Sequence, residues 1–135
     1  LLFVLALLLG GVGAAVVRAE DPEPEATRYV PSARGGREVV RELAEQHFAP
    51  ESIGWVLATA RCESGYDLYA HSAGFDRRLG VWYAFWGALQ VDAVTWAGKA
   101  RALFDGDLSE PAVNFAMASW ILTNYGPSHW PYCGR

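Results

Sequence analysis

Cysteine usage constrains this chain more than any other feature. Of its 135 residues only two are cysteines, Cys62 and Cys133. An even count in an exported protein points to a bridge. Such a bridge closes a loop of about 70 residues and is worth about 4 kcal/mol in the chain-entropy treatment. It ties the C-terminus to the residue beside Glu63. The other reading is two free thiols, one of them buried. A metal site is not indicated, because the two cysteines and His47, His71 and His129 have no ligand spacing.

The export context comes from the start of the sequence. Leu1 to Val17 is an uncharged apolar run, and Val17-Arg18-Ala19 offers small residues at a cleavage position before Glu20. Residues 1–19 therefore read as a signal peptide or, left uncleaved, as a membrane anchor, since a span needs about 20 apolar residues. The sequence opens on Leu rather than Met, so the basic start of such a segment is expected ahead of it. Residues 20–36 (EDPEPEATRYVPSARGG) read as a Pro-rich charged linker closed by Gly-Gly. Residues 37–135 leave room for one domain. The expected location is outside the cytoplasm: extracellular, in the cell wall, or anchored facing outward.

Periodicity makes that domain mainly α. Val40, Leu43, Ala44 and Phe48 share a face of a helix over 37–48, which Pro50 breaks. Trp55, Val56, Ala58, Thr59 and Cys62 recur at three- and four-residue spacing in a second helix over 51–62, with Gly65 as its C-cap. Residues 66–86 read as one long loop, of the kind that is usually functional inside a compact domain, with a short hairpin as the alternative. Residues 87–104 carry a third helical pattern. Ser109 is the expected N-cap of a last helix that has Pro111 in its first turn and stops at Gly126-Pro127. No strand ladder is evident.

The chemistry centres on Ala60-Arg61-Cys62-Glu63-Ser64-Gly65. Glu63 falls at the end of an apolar helix, and burial among apolar neighbours keeps a carboxylic acid protonated to higher pH. A general acid that protonates a leaving-group oxygen near neutral pH needs that property. Asp67, four residues on, reads as a turn cap more than as a second catalytic carboxylate. Beyond the apolar start, six Trp, six Tyr and five of the six Phe supply both a core and an aromatic-lined groove, on which sugar rings stack. The formal net charge is −4 with no basic run, which disfavours nucleic acid as a partner.

Three motifs then fall in order: Glu63-Ser64-Gly65, Gly87-Ala88-Leu89-Gln90, and Asn114-x-x-x-Ala118 in the last helix. Together they resemble the lysozyme-like lytic transglycosylase (SLT) domains over roughly residues 37–130. The resemblance implies a lysozyme-like helical lobe that cleaves the glycan strands of peptidoglycan, as a monomer and without a cofactor. It makes Glu63 the single catalytic acid/base. Ser64, Gln90, Asn114, Tyr83, Trp86 and Tyr125 become the candidate substrate-binding residues, Ser64 by orienting the glutamate or the sugar. The sequence departs from the family pattern at Ala88, where a larger residue is usual. It departs again at Ile121, where the family has a tyrosine, with Trp120 beside it and Tyr125 a turn later. A hydrolytic muramidase, and a non-catalytic wall-binding module on the same lobe, are the competing readings.

Overall fold

The computed structural model describes residues 35–135, so the expectations for residues 1–19 and for the linker up to residue 34 lie outside the described residues. Helix α1 (Arg37–His47) buries Val39, Val40 and Ala44 and turns its charges outward. Arg41 lies 4.0 Å from both Glu38 and Glu45, the three- and four-residue spacing at which helix charges meet. A 3-10 turn at Pro50–Ser52 leads into helix α2 (Ile53–Ser64). Gly65 ends α2 in the left-handed region, at φ 62°, its N–H donating to Arg61 O. A glycine there carries no Cβ penalty.

The expected loop over 66–86 is instead a β-hairpin. Strand β1 (His71–Asp76) pairs antiparallel with β2 (Val81–Trp86), from His71↔Trp86 at the base to Asp76↔Val81 at the tip. A two-residue strand, β3 (Val91–Asp92), pairs with the end of β2. The hairpin escapes period-2 reading because most of its side chains are exposed on both faces. No alternation of polar and apolar residues was needed to build it.

The third helix also starts later than its pattern suggests. Gly87 and Gln90 both take left-handed backbone, at φ 78° and 47°, which a helix excludes. Residues 87–90 therefore form a turn between β2 and β3. Helix α3 (Ala93–Phe104) begins after it, with the Asp92 carboxylate accepting from Val94 N–H at 3.0 Å. Helix α4 (Pro111–Tyr125) follows, with the expected proline in its first turn. Ser109 does not cap it. Its own N–H donates to the Asp107 carboxylate at 3.0 Å, while Glu110 accepts from Asp107 N–H at 2.8 Å.

Helix α4 runs through the centre. Val113, Asn114, Phe115, Met117, Ala118 and Ile121 are buried, which covers more than one face, as a core helix requires. Helices α1 and α3 pack against it, and Phe48 meets Phe115 edge-on at 6.4 Å. The result is a single mainly α domain of four α-helices and a three-stranded antiparallel sheet. Among the described residues no helix is long and apolar enough to cross a membrane. The disulfide is present: Cys62 and Cys133 are bonded, with Cα atoms 5.6 Å apart.

Candidate active site

Glu63 owes its setting to the geometry of α2. At about 100° per residue, position 63 continues the stripe made by residues three, four and seven before it. Those are Ala60, Thr59 and Val56, all fully buried. The carboxyl thus sits where a buried stripe emerges at the helix end, half-buried itself. Burial pushes its pKa above the ordinary carboxylate value. The negative end of the helix acts in the same direction. Among the described residues no hydrogen bond or ion pair engages Glu63, so both oxygens remain free for a ligand.

Beside it lies the turn at residues 87–90, whose position is over-determined. Four successive carbonyls each accept from a side chain. Asn114 Nδ2 donates to Trp86 O at 2.8 Å, and Gln90 Nε2 to Gly87 O at 3.0 Å. Ser64 Oγ donates to Ala88 O at 2.9 Å, and Trp130 Nε1 to Leu89 O at 2.6 Å. The donors come from α4, the turn itself, α2 and the C-terminal tail. Gly87 O accepts from the Gln90 backbone N–H at 3.0 Å as well, and the side-chain donors together leave none of the four carbonyls without a partner. Ser64 and Glu63 are neighbours on α2, so the contact that fixes the turn also fixes it relative to the free carboxyl.

The three motifs therefore converge, and Ser64, Gln90 and Asn114 each give a side-chain donor to a carbonyl of this stretch. Asn114 is 1 % exposed, and its second proton goes to Leu108 O at 3.0 Å. It has no surface to offer a glycan and serves as the strut beneath the turn. Gly87 is required there, since a Cβ would lie 2.5 Å from the Asn114 amide. Gln90 spends its amide on Gly87 O and Ala70 O, with Oε1 accepting from Ser72 Oγ at 3.3 Å. That ties the turn to the base of the hairpin. Asp67 accepts from Tyr69 N–H at 2.9 Å, as a turn cap does.

The aromatic candidates separate. Trp86 stacks on His71, its cross-strand partner, at 5.0 Å. Tyr83 stands three residues away on the same strand and so points to the opposite face of the sheet, beside Phe85 at 6.0 Å. Tyr125 lies eleven residues beyond Asn114, about 16 Å along α4. It joins a second cluster with Trp96 and Trp120, at 5.3 and 5.7 Å, and not the turn. Lys99 Nζ sits 5.1 Å over the Trp120 ring in the same cluster.

The clamp from the tail had no motif to mark it. Trp55, Thr59 and Cys62 recur at i, i+4 and i+7 and line one edge of α2. Trp55 Nε1 donates to Gly134 O at 2.9 Å, Thr59 Oγ1 lies 3.5 Å from Cys133 O, and Cys62 carries the bridge. Trp130 packs edge-on against Trp55 at 5.0 Å before reaching Leu89. The usable signal was that stripe: a threonine and a tryptophan, one and two turns ahead of a bridged cysteine, mark the strip the tail covers.

Among the described residues no three His, Cys, Asp or Glu side chains gather as a metal site. Comparison with protein-family models, curated proteins and solved structures finds no match to this chain.

Proposed function

We propose that this domain cleaves the glycosidic bond between N-acetylmuramic acid and N-acetylglucosamine in peptidoglycan, as a lysozyme-like lytic transglycosylase. The observation that carries the reading is Glu63: an unengaged carboxyl with a raised pKa, held beside a turn that Ser64, Gln90 and Asn114 fix together. A single carboxylate serves both halves of the reaction. The neutral acid donates its proton to the bridging oxygen as the muramic C1–O bond breaks. The substrate's N-acetyl oxygen stabilises the electron-poor C1. The Glu63 carboxylate then takes the proton of the sugar's own 6-hydroxyl as that oxygen closes on C1. The acid is restored and the product carries a 1,6-anhydro ring. Two-carboxylate glycosidases place the second group on the opposite side of the bond, a role Asp67 does not fill while it caps its turn.

In this reading Ser64, Gln90 and Asn114 are positioning residues. Tyr83 and Trp86 are sugar-stacking candidates on opposite faces of the sheet. The partner is the glycan strand, no cofactor takes part, and the domain works as a monomer in the exported location that residues 1–19 suggest.

The test is mass spectrometry of purified peptidoglycan digested by the protein, wild type beside Glu63→Gln. Anhydro-muropeptides from the wild type, reduced by a factor of about 100 or more in the variant, support the proposal. Reducing-end products make the enzyme a hydrolytic muramidase. No release by folded wild type, where a control enzyme succeeds, replaces catalysis with glycan binding.

A further inference from the structure

The tip of the hairpin carries apolar surface that the proposed reaction does not use. Leu79 is 72 % exposed and Trp82 70 %, and Phe75 and Val81 are exposed beside them. Strand register divides these side chains between both faces. Phe75 and Trp82 are cross-strand partners on one face, their rings 5.3 Å apart, while Val81 stands opposite Asp76 on the other. Leu79 lies in the turn between the strands. Apolar side chains on both faces and at the apex call for surroundings that enclose the tip. A groove on one face does not provide that. A cleft of about 490 Å³ between the Val81–Tyr83–Phe85 face and the start of α3 is lined also by Leu79 and Trp82, but a ligand seated there leaves Phe75 in water.

Two further features fit an enclosing apolar medium with a charged rim. The first is backbone satisfaction at the apex. Asp76 Oδ1 accepts from Arg78 N–H at 2.8 Å and Leu79 N–H at 3.1 Å, and Asp76 O accepts from Gly80 N–H at 2.7 Å. Donors paired internally are cheap to take out of water. The second is charge. Arg77 and Arg78 lie in the turn itself beside Leu79, exposed, and among the described residues neither enters an ion pair. They form a cationic point on a chain of net charge −4, complementary to an anionic headgroup layer. Trp, Leu and Arg side by side are a set that settles at a membrane interface, where long Arg side chains reach to the headgroups.

We propose that the hairpin tip, Phe75 to Trp82, inserts shallowly into the surface of a bilayer containing anionic phospholipid. Phe75, Leu79, Val81 and Trp82 enter the acyl boundary and Arg77 and Arg78 hold the headgroups. This does not depend on the proposed catalysis.

The full chain can be tested, because all six tryptophans lie within residues 55–130 and none in the apolar leader. Trp82 is the only one of the six that is strongly exposed. The protein is added to vesicles of brominated phosphatidylcholine with and without phosphatidylglycerol, and tryptophan quenching is read. Quenching is expected with the anionic vesicles, lost in Trp82→Phe, and requiring about tenfold more lipid in Arg77→Glu/Arg78→Glu. All three substitutions are at exposed positions, and an unchanged melt confirms folding. Wild type that sediments with vesicles without quenching overturns the proposal, as does quenching that persists in Trp82→Phe. A Trp82 response to soluble N-acetylglucosamine oligomers and not to vesicles makes the tip a glycan platform instead.

Discussion

Strand β2 joins two regions that are built in opposite ways. At one end is the turn over 87–90, with Ala88 and Leu89 fully buried and four consecutive carbonyls clamped by α2, α4, the tail and Gln90. At the other, about 20 Å away by strand rise, is the hairpin tip, held by one aspartate and its own register. The difference teaches where order is needed. A group that must meet a reacting bond has to be fixed to a fraction of an ångström, and the turn beside Glu63 is fixed by partners from α2, α4 and the tail. A surface that adapts to a soft partner needs only local closure.

The largest way to break this contrast is to release the tail. Reducing Cys62–Cys133 removes the constraint on a loop of 71 residues. It should destabilise the domain by about 4 kcal/mol, a fall in Tm of some 15 °C or more. Amide exchange should rise first at Leu89–Val91, where Trp130 lets go, and change little at Arg77–Gly80. An unchanged melt on reduction removes the tail from the account.

A paired glycine experiment sharpens the same contrast. Gly87 and Gly80 have similar left-handed backbone, at φ 78° and 68°. Alanine at Gly80 meets nothing within 4 Å, so Gly80→Ala should cost about 1 kcal/mol of backbone strain. Alanine at Gly87 meets the buried Asn114 amide at 2.5 Å, so Gly87→Ala should cost about 3 kcal/mol or more. Equal melts for the two variants would show that the turn has room to move. Asn114→Ala strips donors from Trp86 O and Leu108 O and should cost about 2 kcal/mol. Leu79→Ser at the tip should stay within about 0.5 kcal/mol.

How much of this was legible followed burial. Helix α1, helix α2 and the Pro111 start of α4 were readable because each buries a stripe at helical spacing and ends on Pro or Gly. Cys62–Cys133 was readable from count and context. The hairpin was not, because His71–Asp76 and Val81–Trp86 present exposed side chains to both sides and write no period into the sequence. The turn at Gly87 was read as helix because Leu89 and Val91 fit that spacing, while the left-handed angles at Gly87 and Gln90 that forbid it leave no mark beyond one glycine. In the candidate site, Glu63, Ser64, Gln90 and Asn114 were singled out by their motifs, and the structure brings the last three to one turn. Chemistry-bearing residue types were visible, but which of them carry out chemistry and which hold a carbonyl depends on tertiary partners. Asn114 shows the point: the amide N–H groups that could bind a sugar are both spent beneath the turn, on Trp86 O and Leu108 O.

The smallest predicted effect separates Glu63 from its scaffold. Its folded pKa is raised by burial, so the folded protein holds that proton more tightly than the unfolded chain. Stability contributed by this group is fully present below the unfolded carboxyl pKa and is lost as pH rises through the folded value, because unfolding then releases the charge into water. His47 and His129 are lowered by burial and act in the opposite sense, withdrawing stability as pH falls through the ordinary histidine range. Wild type alone therefore mixes the two. The difference in Tm between Glu63→Gln and wild type cancels the histidines. It should be near zero below about pH 4 and rise to a small positive plateau at neutral pH, the variant being the more stable. Such a gain accompanied by lost lysis is the behaviour of a group kept at a cost to the fold for the sake of its chemistry. A variant that is less stable at every pH would mean that the ionised carboxylate holds the fold together, and Glu63 would then belong with Ser64 and Asn114 among the struts.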